Sequence, residues 1–338
     1  MKKIEISSNI VQLHKEYCEQ EIKVKINGLK KKFKKEKSLL TDFLNEYYDK
    51  SIILKPSSKI PETQKKIMRF FEEKKISPDL ELKLFEIYEK AFKKFSKDRK
   101  SLESIKYGDH ISNLNQSNWC ARLYCHLLGI SICPYCNSNI IFTTKIPTEM
   151  KKEKKYKEKL PNCTTRPELD HFYPKNKKYY PLFAMNLYNL VPSCQMCNGS
   201  IKGSIEFIEK LALNPFDESI DDYVKFTIKT EKDPYNVLTG ESLDYDIDYE
   251  RKNDHSTAYS AAYMLEFFYI PERYAFHKGF LSNQFKKKAI YSHSYVKELK
   301  ESYGIDMEHD SYEQNKDVHQ VFLGKLLNDI YGDYLLEK

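Results

Sequence analysis

Apolar positions recur along this chain with two different periods, and the change between them marks its regions. Up to residue 104 the period is helical. The run LKKKFKKEKSLLTDFLNEYYDK sets Leu29, Phe33, Leu39, Leu40 and Phe43 near one stripe with lysines between them. Pro56 and Pro61 in SIILKPSSKIP break that run, and two further helical stretches follow, ETQKKIMRFFEEKK and SPDLELKLFEIYEKAFKKFSKD. The second carries its own start signal. Ser77 caps it, Pro78 fits the first turn and Glu81 follows shortly after.

From Ile105 the character changes. SNWCARLYCHLLGISICPYCNSNIIFTTK reads as a helix, a cysteine knuckle and a strand at NIIFTTK, and TEMKKEKKYKEKLPNCTTRP as a charged loop or hairpin. ELDHFY is a short apolar-flanked strand that Pro174 is placed to end. After Pro215, YVKFTIKT and LDYDIDYE alternate at period two and predict a hairpin. Helices then return in TAYSAAYMLEFFY, in PERYAFHKGFLSNQFKKKAIYSHSYVKELKESYG and in VHQVFLGKLLNDIYGDYLLEK. The expectation is an α+β fold, mostly helical, in three regions packed together: 1–104, 105–217 and 218–338.

Composition narrows the class. Hydrophobic residues at 41% and charged residues at 31% suit an ordinary soluble protein, and 338 residues suffice to bury a core. The net charge of +7 is compatible with a polyanionic partner such as nucleic acid. KKKFKKEK reads more simply as a solvated helix face than as a phosphate contact. No apolar run approaches the roughly 18 residues of a membrane span, and the basic N-terminus lacks the apolar stretch of a secretory signal, so a cytoplasmic protein is expected.

In a reducing compartment, paired cysteines suggest metal before disulfide. Cys133 and Cys136 form one Cys-x-x-Cys knuckle, Cys194 and Cys197 another. Each can give two thiolates to a tetrahedral Zn²⁺, so together they predict a structural zinc site whose long intervening loop must itself fold. Cys120 and Cys125 read as core residues, while Cys18 and Cys163 have no partner at a ligand spacing. Between the knuckles, Asp170 and His171 are adjacent within the ELDHFY strand. Asn189 precedes the second knuckle and Asn198 follows it where a helix can begin. Lys202 stands four residues further along the same helical face.

The order strand with Asp-His, irregular loop, Asn-Leu strand, Cys-x-x-Cys, Asn, helix resembles the HNH endonuclease family and its ββα-metal core, here as a His-Asn-Asn variant. ICPYCNSNIIFT, ELDHFYPKNKKYYPLFAMNLYNLVPSCQMCNGSIKG and LNPFD resemble the HNH nucleases of Septu and retron-associated anti-phage systems, over about Ser131 to Asp217. The resemblance implies a metal-dependent endonuclease that hydrolyses phosphodiesters, of DNA by preference, as the effector of a defence complex. His171 would be the general base. Asp170 and Asn198 would hold a catalytic Mg²⁺ or Mn²⁺, and Asn189 would brace the loop and orient the His171 ring. Lys175 and Lys202 would touch flanking phosphates. The zinc would hold both ends of the unit without taking part in the reaction. No phosphate-binding Gly-x-x-x-x-Gly-Lys loop or Gly-x-Ser-x-Gly elbow is present. This chain is therefore not expected to hydrolyse ATP itself, and the resemblance to the Septu-type systems implies a separate ATPase partner. An RNase or tRNase of the same fold, and an inactive zinc-stapled nucleic-acid-binding module, are the alternatives.

Overall fold

The computed structural model describes residues 3–97, 119–143, 166–176, 180–207, 212–231, 233–291, 293–305 and 320–334. Cys163, most of the charged stretch before Arg166 and the end of NIIFTTK lie outside them.

The first region is helical: α1 (Ser8–Cys18), α2 (Val24–Lys32), α3 (Lys37–Phe43), α4 (Ile60–Glu73) and α5 (Pro78–Ser96). The long helix predicted across Phe33 divides in two. Phe33 leaves helical dihedrals (φ −101°, ψ 66°), and a 3₁₀ turn at Lys34–Glu36 leads into α3. A continuous helix would set Lys30 against Lys34 and Lys31 against Lys35, like charges one turn apart. The start of α5 follows the sequence signal, with Ser77 Oγ accepting from Leu80 N–H at 3.4 Å and Pro78 in the first turn.

α6 (Ala121–Leu128) stops at Gly129, whose φ of +66° is the left-handed value that favours glycine. The strand expected at NIIFTTK is, within its described part, a single bridge between Ile132 and Ile140. β1 (Glu168–His171) pairs antiparallel with β2 (Leu190–Ser193), Asp170 opposite Val191 and His171 opposite Leu190. The turn after β2 is π-helical and begins at Met196, two residues before Asn198.

β3 (Val224–Lys229) and β4 (Asp246–Arg251) form the second antiparallel pair, with the short helix α7 (Pro234–Leu238) in their connection. Helices α8 (Ser256–Phe267), α9 (Ile270–Ala275), α10 (Lys278–Ile290), α11 (His293–Tyr303) and α12 (Gly324–Tyr334) follow. The helical stretch read from Pro271 holds three of these helices, α9 to α11. The protein is α+β and mostly helical, with two small sheets among the described residues. None of the helices among the described residues is long and apolar enough to cross a membrane.

Buried side chains from all three regions join in one hydrophobic cluster. Its aromatic centre near the first sheet is Tyr17, Phe95, Trp119 and Tyr124. The Tyr124 hydroxyl donates to the Leu190 carbonyl at 2.9 Å, fastening β2 to α6. β1 and β2 are thus backed by helices from outside their own segment. A sheet of two four-residue strands needs that support to persist.

Candidate active site and metal centre

The two knuckles meet. The sulfurs of Cys133, Cys136, Cys194 and Cys197 all lie within 4.8 Å of one another, and all four residues are buried. A tetrahedral zinc with bonds of 2.3 Å needs sulfurs about 3.8 Å apart, so the group could hold a structural metal such as zinc with a small contraction. Backbone N–H groups already address the sulfurs: Cys194 N to Cys133 Sγ and Cys197 N to Cys194 Sγ, both 3.4 Å. The C-terminal region closes the group from outside. The Arg273 guanidinium reaches Cys197 Sγ at 3.3 Å and Asn139 Oδ1 at 2.9 Å, and the Tyr274 hydroxyl donates to the Cys136 carbonyl at 2.8 Å. Four thiolates around a divalent ion leave surplus negative charge, which a guanidinium at that position offsets. Cys120 and Cys125 are buried at α6, away from this group, and Cys18 is buried in α1.

Asp170 is 2% exposed, and both carboxylate oxygens are occupied. Lys202 Nζ donates to Oδ1 at 2.8 Å and the Tyr135 hydroxyl to Oδ2 at 2.6 Å. Burial pushes the carboxyl above its ordinary value, opposed by Lys202 and Tyr135. Lys202 is 1% exposed and also donates to the His171 carbonyl at 2.9 Å. The phosphate contact expected of Lys202 is corrected: its ammonium is interior and committed to Asp170. Lys202 closes the π turn that begins at Met196, where Gly203 N–H bonds the Asn198 carbonyl at 2.7 Å, and like Asn198 it reaches back to β1.

His171 is held by one nitrogen. Its Nε2 lies 3.0 Å from the Ala184 carbonyl. A carbonyl only accepts, so Nε2 carries the proton and Nδ1 the lone pair. Nδ1 lies 3.4 Å from Lys175 Nζ. The Phe92 ring of α5 meets the imidazole edge-on at 4.4 Å, and Lys175 Nζ rests 4.3 Å from the centre of the same ring. Burial, then the Lys175 cation, holds the imidazole well below its ordinary pKa, so the ring is neutral. Burial also lowers Lys175, against the pull of Glu89 and Asp170.

Asn189 braces the loop, as expected of it, through backbone groups and not through the imidazole itself. Its amide accepts from Tyr173 N–H at 2.7 Å and donates to the Tyr173 carbonyl at 3.0 Å and the Phe183 carbonyl at 3.2 Å. It clamps the loop after β1 to the turn whose next carbonyl, Ala184, holds His171. Asn198 donates from Nδ2 to Glu168 Oε2 at 2.8 Å. Glu168 and Asp170, two apart on β1, share one face of the strand.

Asp170, His171, Lys175 and Asn198 all line one open cleft of about 480 Å³, together with Phe85 and Glu89 of α5. Each Asp170 oxygen keeps a second lone pair beside its hydrogen bond, and the Asn198 amide oxygen is a further hard donor. Such a set fits a sparsely ligated ion that retains water and takes its remaining ligands from a phosphate. Tyr135, Glu168, Phe92, Glu89 and the Ala184 carbonyl all adjoin these groups without having been expected from the sequence. Tyr135 alone carried a signal, its place inside the first knuckle. Comparison of the chain with family models, with curated proteins and with solved structures finds no match to any of them.

Proposed function

We propose that the chain is a divalent-metal-dependent HNH endonuclease that hydrolyses nucleic-acid phosphodiesters, DNA before RNA, in the cleft around His171. The supporting observation is that Asp170, His171 and Asn198, drawn from β1 and from the turn after β2, line one cleft. With Nε2–H given to Ala184, Nδ1 is the atom that takes a proton from the attacking water. Burial keeps the ring in the neutral form that a base needs. Lys175 stands beside Nδ1, and an entering phosphate draws its ammonium off the ring, freeing the lone pair. Asp170 and Asn198 would hold Mg²⁺ or Mn²⁺, which when bound offsets charge on the scissile phosphate and the leaving oxygen. The cysteine group takes zinc in a structural role, since four thiolates leave no place for water.

One observation favours a second reading, an inactive nucleic-acid-binding module stapled by zinc: Lys202 already neutralises Asp170. A nicking assay on supercoiled DNA and a matched RNA, with Mg²⁺ or Mn²⁺ and with or without an ATPase partner, separates the two. His171→Ala should keep its melting temperature within a few degrees and lose about 10²–10⁴-fold in rate, the span of general-base catalysis. Cutting by His171→Ala at the wild-type rate removes the base assignment. No cutting by the wild type under any of these conditions leaves the binding module.

A further inference from the structure

We infer that Tyr135 is a positioning residue: its hydroxyl carries the geometry of the first cysteine knuckle to the Asp170 carboxylate, making the structural-metal group and the cation-binding carboxylate one mechanical unit. The inference rests on the proposed function only in taking Asp170 as a ligand for a divalent cation.

Tyr135 lies between Cys133 and Cys136 and is fully buried. Its hydroxyl bond to Asp170 Oδ2, at 2.6 Å, is in the short range of O–H donors to a carboxylate. The ring cannot swing away, because it stacks on Phe268 with centroids 4.8 Å apart and planes 18° apart. The backbone on either side is fixed as well. Cys133 N–H bonds the Asn139 carbonyl at 2.9 Å, Asn137 N–H bonds the Cys133 carbonyl at 2.8 Å, and Tyr274 holds the Cys136 carbonyl. A change in knuckle geometry must therefore move the hydroxyl.

The other oxygen of Asp170 is fixed from the second knuckle. Lys202, which holds Oδ1, ends the turn that contains Cys197. Each knuckle thus sends one donor to one oxygen of the same carboxylate. With both oxygens held, the carboxylate cannot rotate about its Cβ–Cγ bond, and its remaining lone pairs point in fixed directions. That is what a site with few protein ligands requires, because a hard cation tolerates little error in the oxygens it does receive. A hydrogen bond that merely satisfied a buried phenol would leave cation affinity unchanged.

The test uses the full chain with zinc loaded. Zinc content, thermal midpoint and Mn²⁺ affinity, the last by electron paramagnetic resonance and without nucleic acid, are measured for the wild type and Tyr135→Phe. The variant should keep its zinc and its fold and bind Mn²⁺ about 10–100-fold more weakly, the range for loss of a group that orients a ligand. Equal Mn²⁺ affinity in the two proteins overturns the inference, as does a wild type that binds no Mn²⁺ beyond its zinc. If Tyr135→Phe loses zinc, 4-fluorophenylalanine at position 135 fills the hydroxyl's space without the donor, and the same criterion applies. Failure of the nuclease reading looks different. Mn²⁺ then binds the wild type, Tyr135→Phe still weakens it, and neither protein cuts.

Discussion

Because the Nε2–H of His171 is committed to the Ala184 carbonyl, only Nδ1 is left to act as the proposed base, and under that proposal its protonation would set the acid limit of cleavage. A free imidazole titrates near 6.5. Burial and the neighbouring Lys175 cation hold this one well below that, so the neutral form persists as pH falls through 6.5 and is lost only in more acid solution. Single-turnover cleavage should stay level from about pH 8 to below 6.5 before it falls. An acid limb centred near 6.5 would contradict the pocket. Lys175→Met removes a charge that disfavours imidazolium and also one that favours ionised Asp170, so the limb should move upward. The residues at this scale differ in how far the sequence revealed them. Asp170, His171 and Asn189 are legible because a short strand, a loop and a knuckle fix their order. The Ala184 carbonyl is not, because a backbone acceptor leaves no mark in a sequence. Tyr135 reads as a spacer until the fold brings Asp170 to its hydroxyl.

Among the elements, the two knuckles and the β1–β2 pair are where the sequence speaks most plainly, since Cys-x-x-Cys spacing and a four-residue strand are local features. The turn after β2 speaks least plainly: Asn198 and Lys202 both reach β1 from it, to Glu168 and Asp170, and nothing in their spacing tells that the lysine is interior. The connection between the strands carries short 3₁₀ turns at Pro181–Phe183 and Leu187–Asn189 and is further held by side chains. Asn189 satisfies Tyr173 N–H and two carbonyls inside the protein. Asn189→Ala should cost about 2–4 kcal/mol, because truncation leaves several buried polar groups unpaired at about 1–3 kcal/mol each before relaxation. Urea denaturation checks that figure. Cys194→Ser acts on the metal element directly. It should lower zinc content below one per chain and abolish the cooperative melting of the central region, since binding energy at a structural zinc is folding energy. A variant with full zinc and an unchanged melt would remove the cysteine group from that role.

The whole molecule converges on one turn. Three successive carbonyls, those of Phe183, Ala184 and Met185, each receive a side-chain N–H, from Asn189, His171 and His14 respectively. His14 belongs to α1, far away in sequence, and its other nitrogen accepts from the Trp119 indole at 3.2 Å. The N-terminal helices therefore help build the seat of His171, and the hydrophobic cluster shared by all three regions is the packing that keeps them there. The helical pattern foretold those helices, but amphipathic periodicity says which face is buried and not what it is buried against. His14 offers a measurable consequence. It is fully buried, and burial lowers its pKa from 6.5 to about 4. The unfolded chain binds a proton there at pH values where the folded chain does not. The stability this site contributes is thus complete above 6.5 and lost as pH falls toward 4. At 1.36 kcal/mol per pKa unit the loss amounts to about 3 kcal/mol by pH 4. In His14→Gln that part of the slope should disappear, so the stability gap between wild type and variant narrows by about that amount between pH 7 and pH 4. Denaturation of both proteins at the two values reads the difference directly and cancels the other acid-sensitive groups they share. A gap independent of pH would mean that His14 is not the neutral, doubly bonded imidazole that ties α1 to the turn behind His171.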